Sequence, residues 1–317
     1  MPTNRRVLVV KSGGADAFAE WRAQFAAAIP ELDCIHWEDP ALDPAAIDYA
    51  LLWDPEPGRL KSMPRLRAIF GSGAGVDLIA ADPELPRHIP LVRMAIPEAT
   101  QRMGEFCCWA VLSLLRGARR MALAQAARAW DDFEVPWRAD QRTVGIMGLG
   151  AMGARSAAML RGLGFPVIGW SRRRKDLPGI ESYAGPEELP GFLAHAEILV
   201  CLLPATPATR GIVDARLLAQ LPRGAGYAGL GRGSHHRLGD VLAALDSGLL
   251  SGAVLDVFET EPLPADHPLW SHPKAIVTPH VASLPSRAER AGFVARAIRA
   301  LERGEALPNL YDHARGY

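Results

Sequence analysis

The chain has 317 residues with 35 basic and 35 acidic side chains, so its formal net charge is zero. This balance excludes a general electrostatic attraction to nucleic acid or to an anionic membrane surface. Apolar residues make up 49% and charged residues 22%, which excludes a disordered or collagen-like chain. The length predicts two domains of ordinary size, each with its own core.

The first residues carry no pattern typical of an export or membrane signal. Only four apolar residues follow Arg6 before the next charge, and no apolar run approaches the roughly 18 residues of a membrane span. The four cysteines, Cys34, Cys107, Cys108 and Cys201, form no CxxC pair and suit neither a zinc site nor a disulfide framework. We therefore predict a cytoplasmic protein with reduced, buried cysteines and no metal.

In the first third of the chain, short β-branched runs alternate with Ala-rich amphipathic stretches. Such alternation predicts a parallel sheet with helices on both faces. The predicted elements are a helix at Phe18–Ala28 and strands at Arg6–Val10, Cys34–Trp37, Tyr49–Trp53, Arg67–Phe70 and Leu91–Arg93.

A long helical stretch, Gly104–Arg120, has apolar residues on nearly every face. This distribution predicts a helix buried between two lobes, where it serves as the hinge. A polar segment containing Trp130 and Trp137 follows it.

A second βα series follows that segment, and its six strands make a complete doubly wound dinucleotide-binding domain. The predicted strands are Thr143–Met147, Val167–Trp170, Ile198–Leu203, Gly226–Leu230, Ala253–Val257 and Ala275–Thr278.

The last helical pattern, Ser286–Arg303, stops at Gly304, and Pro308 follows. Because the second series completes its own sheet, this helix is predicted to pack on the first lobe. The predicted fold class is therefore α/β, with two doubly wound parallel-sheet domains, Rossmann and flavodoxin-like, and an inter-domain cleft. The predicted bounds are 1–99 plus 283–317 for the substrate-binding domain and 100–282 for the dinucleotide-binding domain.

A GxGxxG motif lies between the strand ending at Met147 and a helical pattern, the context in which it indicates a dinucleotide site. Gly148 allows the tight turn, Gly150 lets the backbone approach the pyrophosphate, and Gly153 lets the helix lie close to the strand. The alternative is an ordinary loop, since 30 residues of the chain are glycine. The candidate phosphate contacts are Gly148, Leu149, Gly150, Ala151, Met152 and Gly153.

The end of the next strand indicates which cofactor is used. An NAD site usually has an acid about 20 residues after the glycine loop. Here Ser171, Arg172 and Arg173 follow Trp170, and the first acid is Asp176. Because hydroxyl and guanidinium groups bind a 2′-phosphate that a carboxylate repels, we predict NADPH with weaker use of NADH. The alternative, a solvated charge run, is accepted for the following two residues, Arg174 and Lys175.

Three charged residues follow predicted strands of the second series and are expected to reach one site. Arg232 offers a bidentate fork to a substrate carboxylate. His280 can protonate a carbonyl oxygen, and Glu261 would orient its ring and favour its protonated form. Taken singly, each residue equally fits a turn, cap or packing role.

The chain resembles the D-2-hydroxyacid dehydrogenase family over its whole length. The motifs that carry the resemblance are Gly148-x-Gly150-x-x-Gly153, Arg232-Gly233, the run Leu255–Pro264 with its Glu261, Thr278-Pro279-His280-Val281-Ala282, and Gly73-Ala74-Gly75-Val76-Asp77. The resemblance implies Arg232 as the carboxylate ligand, His280 as acid and base with Glu261 as its partner, and a homodimer. It also implies that the backbone amides of Ala74 and Gly75 hold the substrate carboxylate.

Within the family, the chain is most similar to members that reduce glyoxylate and hydroxypyruvate. The residues that carry this closer match are Trp170–Lys175, Asp266–Trp270 and Ala314–Tyr317. The match implies a small 2-oxo acid as substrate, with Trp53 at the substrate; from its position alone, Trp53 is as well explained as a core residue. Further predicted cofactor contacts are Leu203, Pro204, Thr209, Leu230, Gly231 and Asp256.

One position departs from the family pattern. The family commonly has Asn three residues before the catalytic Arg, and this chain has Gly229. Because glycine offers no side chain as an anchor, how firmly Arg232 is held is left open. The alternative function is a non-catalytic, dinucleotide-sensing regulator on the same fold. We favour the enzyme because the sequence ends shortly after the last predicted helix, without an added domain.

Overall fold

The computed structural model describes residues 5–316, which divide into two compact units. One unit comprises the chain up to Ala99 together with Leu284 onward, and the other is Thr100–Ser283. Positions 1–4 and 317 lie outside the described residues. The predicted domain bounds include all of them, and the predicted C-terminal motif includes position 317. Which unit binds substrate and which binds cofactor stays a prediction.

The elements are numbered in chain order. The strands are β1 (Arg6–Lys11), β2 (Leu32–His36), β3 (Tyr49–Leu52), β4 (Ala68–Gly71), β5 (Leu91–Val92), β6 (Val144–Met147), β7 (Val167–Ser171), β8 (Glu181–Ala184), β9 (Ile198–Cys201), β10 (Ala225–Gly229), β11 (Leu250–Leu255) and β12 (Ala275–Val277). The helices are α1 (Gly14–Ala28), α2 (Asp77–Ala80), α3 (Pro97–Arg116), α4 (Ala118–Ala126), α5 (Ala151–Gly162), α6 (Gly185–His195), α7 (Ala215–Leu218), α8 (Leu238–Asp246) and α9 (Arg287–Glu302).

The first unit is built on a parallel sheet with the order β2-β1-β3-β4-β5. α1 and α9 pack against each other. α9 starts at a capping box, in which the Glu289 amide donates to Ser286 Oγ (3.2 Å) and the Ser286 amide donates to Glu289 Oε2 (2.7 Å). Trp21 and Phe25 of α1 are fully buried and supply the apolar face of that helix.

The second unit is a seven-stranded parallel sheet with the order β12-β11-β10-β9-β6-β7-β8. Both faces are covered, one by a core that contains Phe192 and Tyr227, the other by a core that contains Val111 and Leu160. The central strands are therefore apolar throughout, as parallel strands buried on both faces require. The prediction of two parallel α/β sheets is confirmed.

Two details of the predicted elements were wrong. The strand count of the second sheet was one short, because β8 starts at the exposed Glu181 and buries only Ser182, too few apolar residues to be recognised. The predicted helix Gly104–Arg120 is two helices, α3 and α4, separated at Gly117, whose φ is 67°. α3 packs one side into the core of the second unit and leaves Trp109 42% exposed.

The four cysteines are free thiols. Burial raises the pKa of the Cys34 and Cys201 thiols to about 12, so the reactive thiolate does not form there near neutral pH. Within residues 5–316, no helix is both long and apolar enough to cross a membrane. In the same range, no group of three or more His, Cys, Asp or Glu side chains is arranged to hold a metal ion.

Candidate active site

The glycine loop connects β6 to α5, as the motif predicts. Gly148 has a φ of 105°, and a Cβ there would lie 2.6 Å from the carbonyl oxygen of Leu202. A Cβ on Gly153 would lie 1.8 Å from the oxygen of Gly148, so only glycine lets α5 lie this close to the loop. By contrast, the space in front of Gly150 is open to at least 4 Å. The helix therefore starts with its amide groups beside an accessible backbone, the geometry that receives a pyrophosphate.

Hydrogen bonds within the loop after β7, and from it to β8 and α6, hold this loop in place. Ser171 is buried, and its Oγ donates to the carbonyl oxygen of Arg173 at 2.7 Å. The guanidinium of Arg174 donates to the Ser182 carbonyl and forms an ion pair with Glu188. Arg172 and Arg173 are exposed. The role of Arg174 is thus structural, in line with the solvated-surface alternative, while the two arginines before it are accessible to an anion.

Asp256 follows β11 and is completely buried. Its Oδ1 accepts hydrogen bonds from Thr278 Oγ1 (2.6 Å) and the Val281 amide (3.0 Å), and its Oδ2 accepts one from the Ala282 amide (3.0 Å). Its carbonyl oxygen accepts the amide of His280 at 2.8 Å. Asp256, predicted only as a cofactor contact, therefore anchors the loop that carries His280, a role that no sequence pattern indicates.

His280 and Glu261 form the hydrogen bond that the motifs predict. His280 Nδ1 lies 2.8 Å from Glu261 Oε2, and Glu261 Oε1 accepts the amide of Phe258 at 2.8 Å. Burial alone would raise the pKa of Glu261. The hydrogen bonds from His280 and Phe258, with the charges of His280 and Arg232, outweigh it and lower that pKa. The carboxylate is thus ionised at neutral pH, and the Nδ1 that faces it carries hydrogen.

Arg232 lies in the loop after β10. Its Nη1 donates to the carbonyl oxygen of Gly231 at 2.9 Å, and its backbone amide donates to His235 Nδ1 at 3.0 Å. A Cβ on Gly233 would lie 1.9 Å from the carbonyl carbon of Phe258, so this loop is packed directly on the turn that leads to Glu261. The loop of Arg232 thus contacts the turn that carries Glu261, the partner of His280, and the charge of Arg232 helps to lower the pKa of Glu261.

The remaining cofactor candidates border these loops. The carbonyl oxygen of Pro204 accepts a hydrogen bond from Thr209 Oγ1 (2.7 Å). The same oxygen lies 3.1 Å from His235 Nε2, within hydrogen-bond distance. Leu203 and Leu230 are buried, and a Cβ on Gly231 would lie 2.9 Å from His235 Nδ1. His235 was not predicted, because its sequence context resembles an ordinary loop histidine.

In the first unit, Trp53 lies beside the loop that follows β4. A Cβ on Gly73 would lie 2.5 Å from Trp53 Cζ3, so the indole packs on this glycine, which directly precedes Ala74 and Gly75. Trp53 is only partly buried. It therefore differs from a core tryptophan such as Trp21, which is fully buried.

A buried arginine supports the same loop and was not predicted. Arg290 Nη1 donates to the Ser72 carbonyl at 3.2 Å, and its guanidinium lies 4.6 Å from the centre of the Trp21 ring. Arg290 is 5% exposed, and burial, together with the charge of Arg287, lowers its pKa to about 10. A positive charge is thus held directly behind the Ser72–Gly73 peptide.

A parallel sheet whose first strand leads into a glycine loop and a helix defines a dinucleotide-binding protein of the doubly wound α/β class. Residues 108–282 match the family described as D-isomer specific 2-hydroxyacid dehydrogenase, NAD binding domain. Glyoxylate/hydroxypyruvate reductase A of Salmonella paratyphi B is 43% identical over 307 residues, which cover 94% of this chain and 96% of that protein.

Two solved structures are similar along nearly the whole chain. A D-isomer specific 2-hydroxyacid dehydrogenase from Xanthobacter autotrophicus Py2, in complex with NADPH and MES, has a TM-score of 0.89, 39% identity and coverage of 99% of this chain and 100% of that one. An NADPH-dependent glyoxylate/hydroxypyruvate reductase from Sinorhizobium meliloti, in complex with NADP and sulfate, has a TM-score of 0.89 and 38% identity. The match covers 98% of this chain and 100% of that one. The chain belongs to the D-isomer specific 2-hydroxyacid dehydrogenase family.

Proposed function

We propose that the protein is an NADPH-preferring reductase of small 2-oxo acids, with glyoxylate and hydroxypyruvate as substrates. The observation that carries the proposal is the His280–Glu261 pair, 2.8 Å apart and next to the loop of Arg232. The site combines three groups. His280 exchanges a proton, Glu261 favours the protonated form of His280, and Arg232 is a cation that binds carboxylate. The names of the Salmonella and Sinorhizobium relatives support the same substrates.

In the proposed reaction, Arg232 binds the substrate carboxylate and fixes the position of the adjacent carbonyl group. Reduced nicotinamide, when bound, supplies the hydride to the carbonyl carbon. His280 donates a proton from Nε2 to the carbonyl oxygen, while its Nδ1–H stays bonded to Glu261. Glu261 stabilises the imidazolium before transfer, and the product is the 2-hydroxy acid. In the reverse direction, neutral His280 accepts the hydroxyl proton.

The cofactor is proposed to bind along the carboxyl ends of the strands of the second unit. The amides of the glycine loop and of the first turn of α5 receive the pyrophosphate. Arg172 and Arg173 receive the 2′-phosphate, and the Ser171 hydroxyl joins them when it turns from the Arg173 carbonyl to the phosphate. The other proposed contacts are Leu203, Pro204, Thr209, Leu230 and Gly231. Asp256, predicted as a further contact, is completely buried and supports the site from behind instead. The NADPH and NADP in the complexes of the two similar structures support this choice of cofactor.

The first unit is proposed to provide the amides of Ala74 and Gly75 for the substrate carboxylate and the indole of Trp53 beside the substituent. A cytoplasmic location, a homodimer and weaker use of NADH complete the proposal.

Initial rates of NADPH consumption with a panel of 2-oxo acids, repeated with NADH, test this function. Saturable turnover of glyoxylate and hydroxypyruvate with NADPH is expected. Binding of NADPH, measured by its fluorescence, without turnover of any 2-oxo acid would instead identify the dinucleotide-sensing regulator.

A further inference from the structure

One buried histidine connects two loops of the candidate active site. His235 is 1% exposed, and both its ring nitrogens have backbone partners. Nδ1 lies 3.0 Å from the amide nitrogen of Arg232, and Nε2 lies 3.1 Å from the carbonyl oxygen of Pro204. These partners belong to the loops that follow the neighbouring strands β10 and β9. A single ring thus spans the two loops.

The partners fix the state of the ring. A backbone amide only donates, so Nδ1 accepts and carries no hydrogen. A backbone carbonyl only accepts, so Nε2 carries the hydrogen and donates to Pro204. In this arrangement the ring is neutral, and rotating it by half a turn would break both hydrogen bonds. The distance between the Arg232 amide and the Pro204 carbonyl is therefore set by the width of one imidazole.

The loop of Arg232 needs such support because it is rich in glycine. Gly231 and Gly233 within the loop, and Gly229 at the end of β10 before it, provide no side chains to hold it, and flexible backbone costs entropy when it becomes ordered. A Cβ on Gly231 would approach His235 Nδ1 to 2.9 Å, so the imidazole packs tightly against the loop.

We propose that His235 is a positioning residue that holds Arg232 in register for the substrate carboxylate and couples this arginine to the cofactor-side loop at Pro204. The inference rests on the proposed function, in which Arg232 binds substrate and Pro204 borders cofactor. Its consequence is that loss of His235 weakens binding of both, and that the two effects depend on different ring nitrogens.

The adjacent His236 is a matched control. It is also buried, at 4% exposure, but its Nδ1 lies 3.2 Å from the hydroxyl oxygen of Tyr227 rather than near the amide of Arg232. Burial, with the neighbouring His235, lowers the pKa of His236 to about 4, so this ring is also neutral at physiological pH. His235→Leu and His236→Leu therefore remove the same side chain from adjacent buried positions, and only the first touches both loops.

The experiment measures kcat and KM for glyoxylate, Kd for NADPH by fluorescence, and Tm, in the full-length protein. Kd for oxamate, an unreactive 2-oxo acid analogue, is measured in the presence of NADP. His235→Leu should raise the KM for glyoxylate and the Kd for oxamate about tenfold, with a smaller change in kcat, because the Arg232 amide loses its acceptor. His236→Leu should lower Tm without this rise.

Two further variants separate the ring nitrogens. His235→Asn keeps an acceptor at the position of Nδ1 but is too short to reach Pro204. It should retain the glyoxylate KM and weaken NADPH binding. His235→Gln has both an acceptor and a donor, and Gln at this position can accept from the amide three residues earlier. This variant should therefore restore most of the glyoxylate affinity and most of the NADPH affinity.

Equal rises in the glyoxylate KM for His235→Leu and His236→Leu would overturn the proposal, as would equal KM values for His235→Asn and His235→Leu. If His235→Leu does not fold, the comparison of His235→Asn with wild type decides. Wild-type protein without turnover would refute the proposed function alone, since the oxamate affinities of the variants still report on Arg232.

Discussion

The ring of His236 occupies the space in front of Gly229. A Cβ on Gly229 would lie 3.0 Å from His236 Nδ1 and 3.1 Å from Leu255 Cδ2, closer than side chains normally approach. The space that the side chain of the family's usual asparagine would need is thus filled by buried His236. Gly229 and His236 pack as one unit. We expect Gly229→Asn to destabilise the protein by about 1–3 kcal/mol through overpacking. Thermal unfolding measures this.

The control for this prediction is the double variant Gly229→Asn with His236→Ala, in which the smaller side chain makes room for the amide. Its Tm should exceed the value expected if the two single effects simply add. Additive effects would show that the two positions are independent.

Arg232→Ala should lower kcat/KM for every 2-oxo acid. A charge-assisted contact worth roughly 1.5–3 kcal/mol is lost, which corresponds to a decrease of about 10- to 150-fold. Arg232→Lys should recover only part of the activity, because an ammonium group cannot form the bidentate fork. Steady-state kinetics with glyoxylate checks both, and an unchanged kcat/KM in Arg232→Ala would remove this residue from the site.

Reduction should fade as the pH rises, and oxidation of the 2-hydroxy acid should improve. Protonated His280 donates in the first direction, and neutral His280 accepts in the second. Because the pKa of Glu261 is lowered, its carboxylate is charged through neutral pH and favours the protonated ring. Glu261→Gln removes this charge, so its reductive activity should be lost at lower pH than in wild type. Identical pH profiles would argue against the pairing.

Cofactor preference should depend on the loop after β7. Replacing Ser171 with Asp and both Arg172 and Arg173 with Ala should reverse the preference from NADPH to NADH, because a carboxylate binds a ribose hydroxyl and repels a phosphate. Arg174→Ala is the matched control. Its guanidinium is bound to Ser182 and Glu188, so removing it should leave the preference in place. Equal use of both cofactors by wild type would refute the 2′-phosphate site.

The sequence was informative where a local pattern decides the structure. Buried parallel strands require continuous apolar runs, and the glycine loop requires glycine at fixed spacing, so both were predictable. The support of the site was not, because it depends on contacts between distant segments. Asp256 binds amides more than 20 residues later, and nothing near it in the chain indicates this. Arg290 lies on an amphipathic helix, where a charged residue is expected to be exposed, yet the Trp21 ring covers it.

The last prediction concerns substrate size and rests on Trp53. Its indole packs on Gly73, the residue before the proposed carboxylate-binding amides, and it is only partly buried. A large ring at this position would fill the space that a bulky substituent needs, and its N–H could donate to a small polar group. We expect glyoxylate and hydroxypyruvate to be turned over better than phenylpyruvate.

Trp53→Ala should raise kcat/KM for phenylpyruvate relative to glyoxylate by about tenfold or more, since removing the ring creates room for an aromatic substituent. Trp53→Phe keeps most of the ring without the N–H, so it should preserve the size preference and reduce the advantage of hydroxypyruvate over glyoxylate. Because deleting a packed indole also destabilises the first unit, Tm is measured for each variant, and the ratio of two substrates in the same protein removes any loss of folded enzyme. An unaltered ratio in Trp53→Ala would place Trp53 in the core and refute its role in size selection.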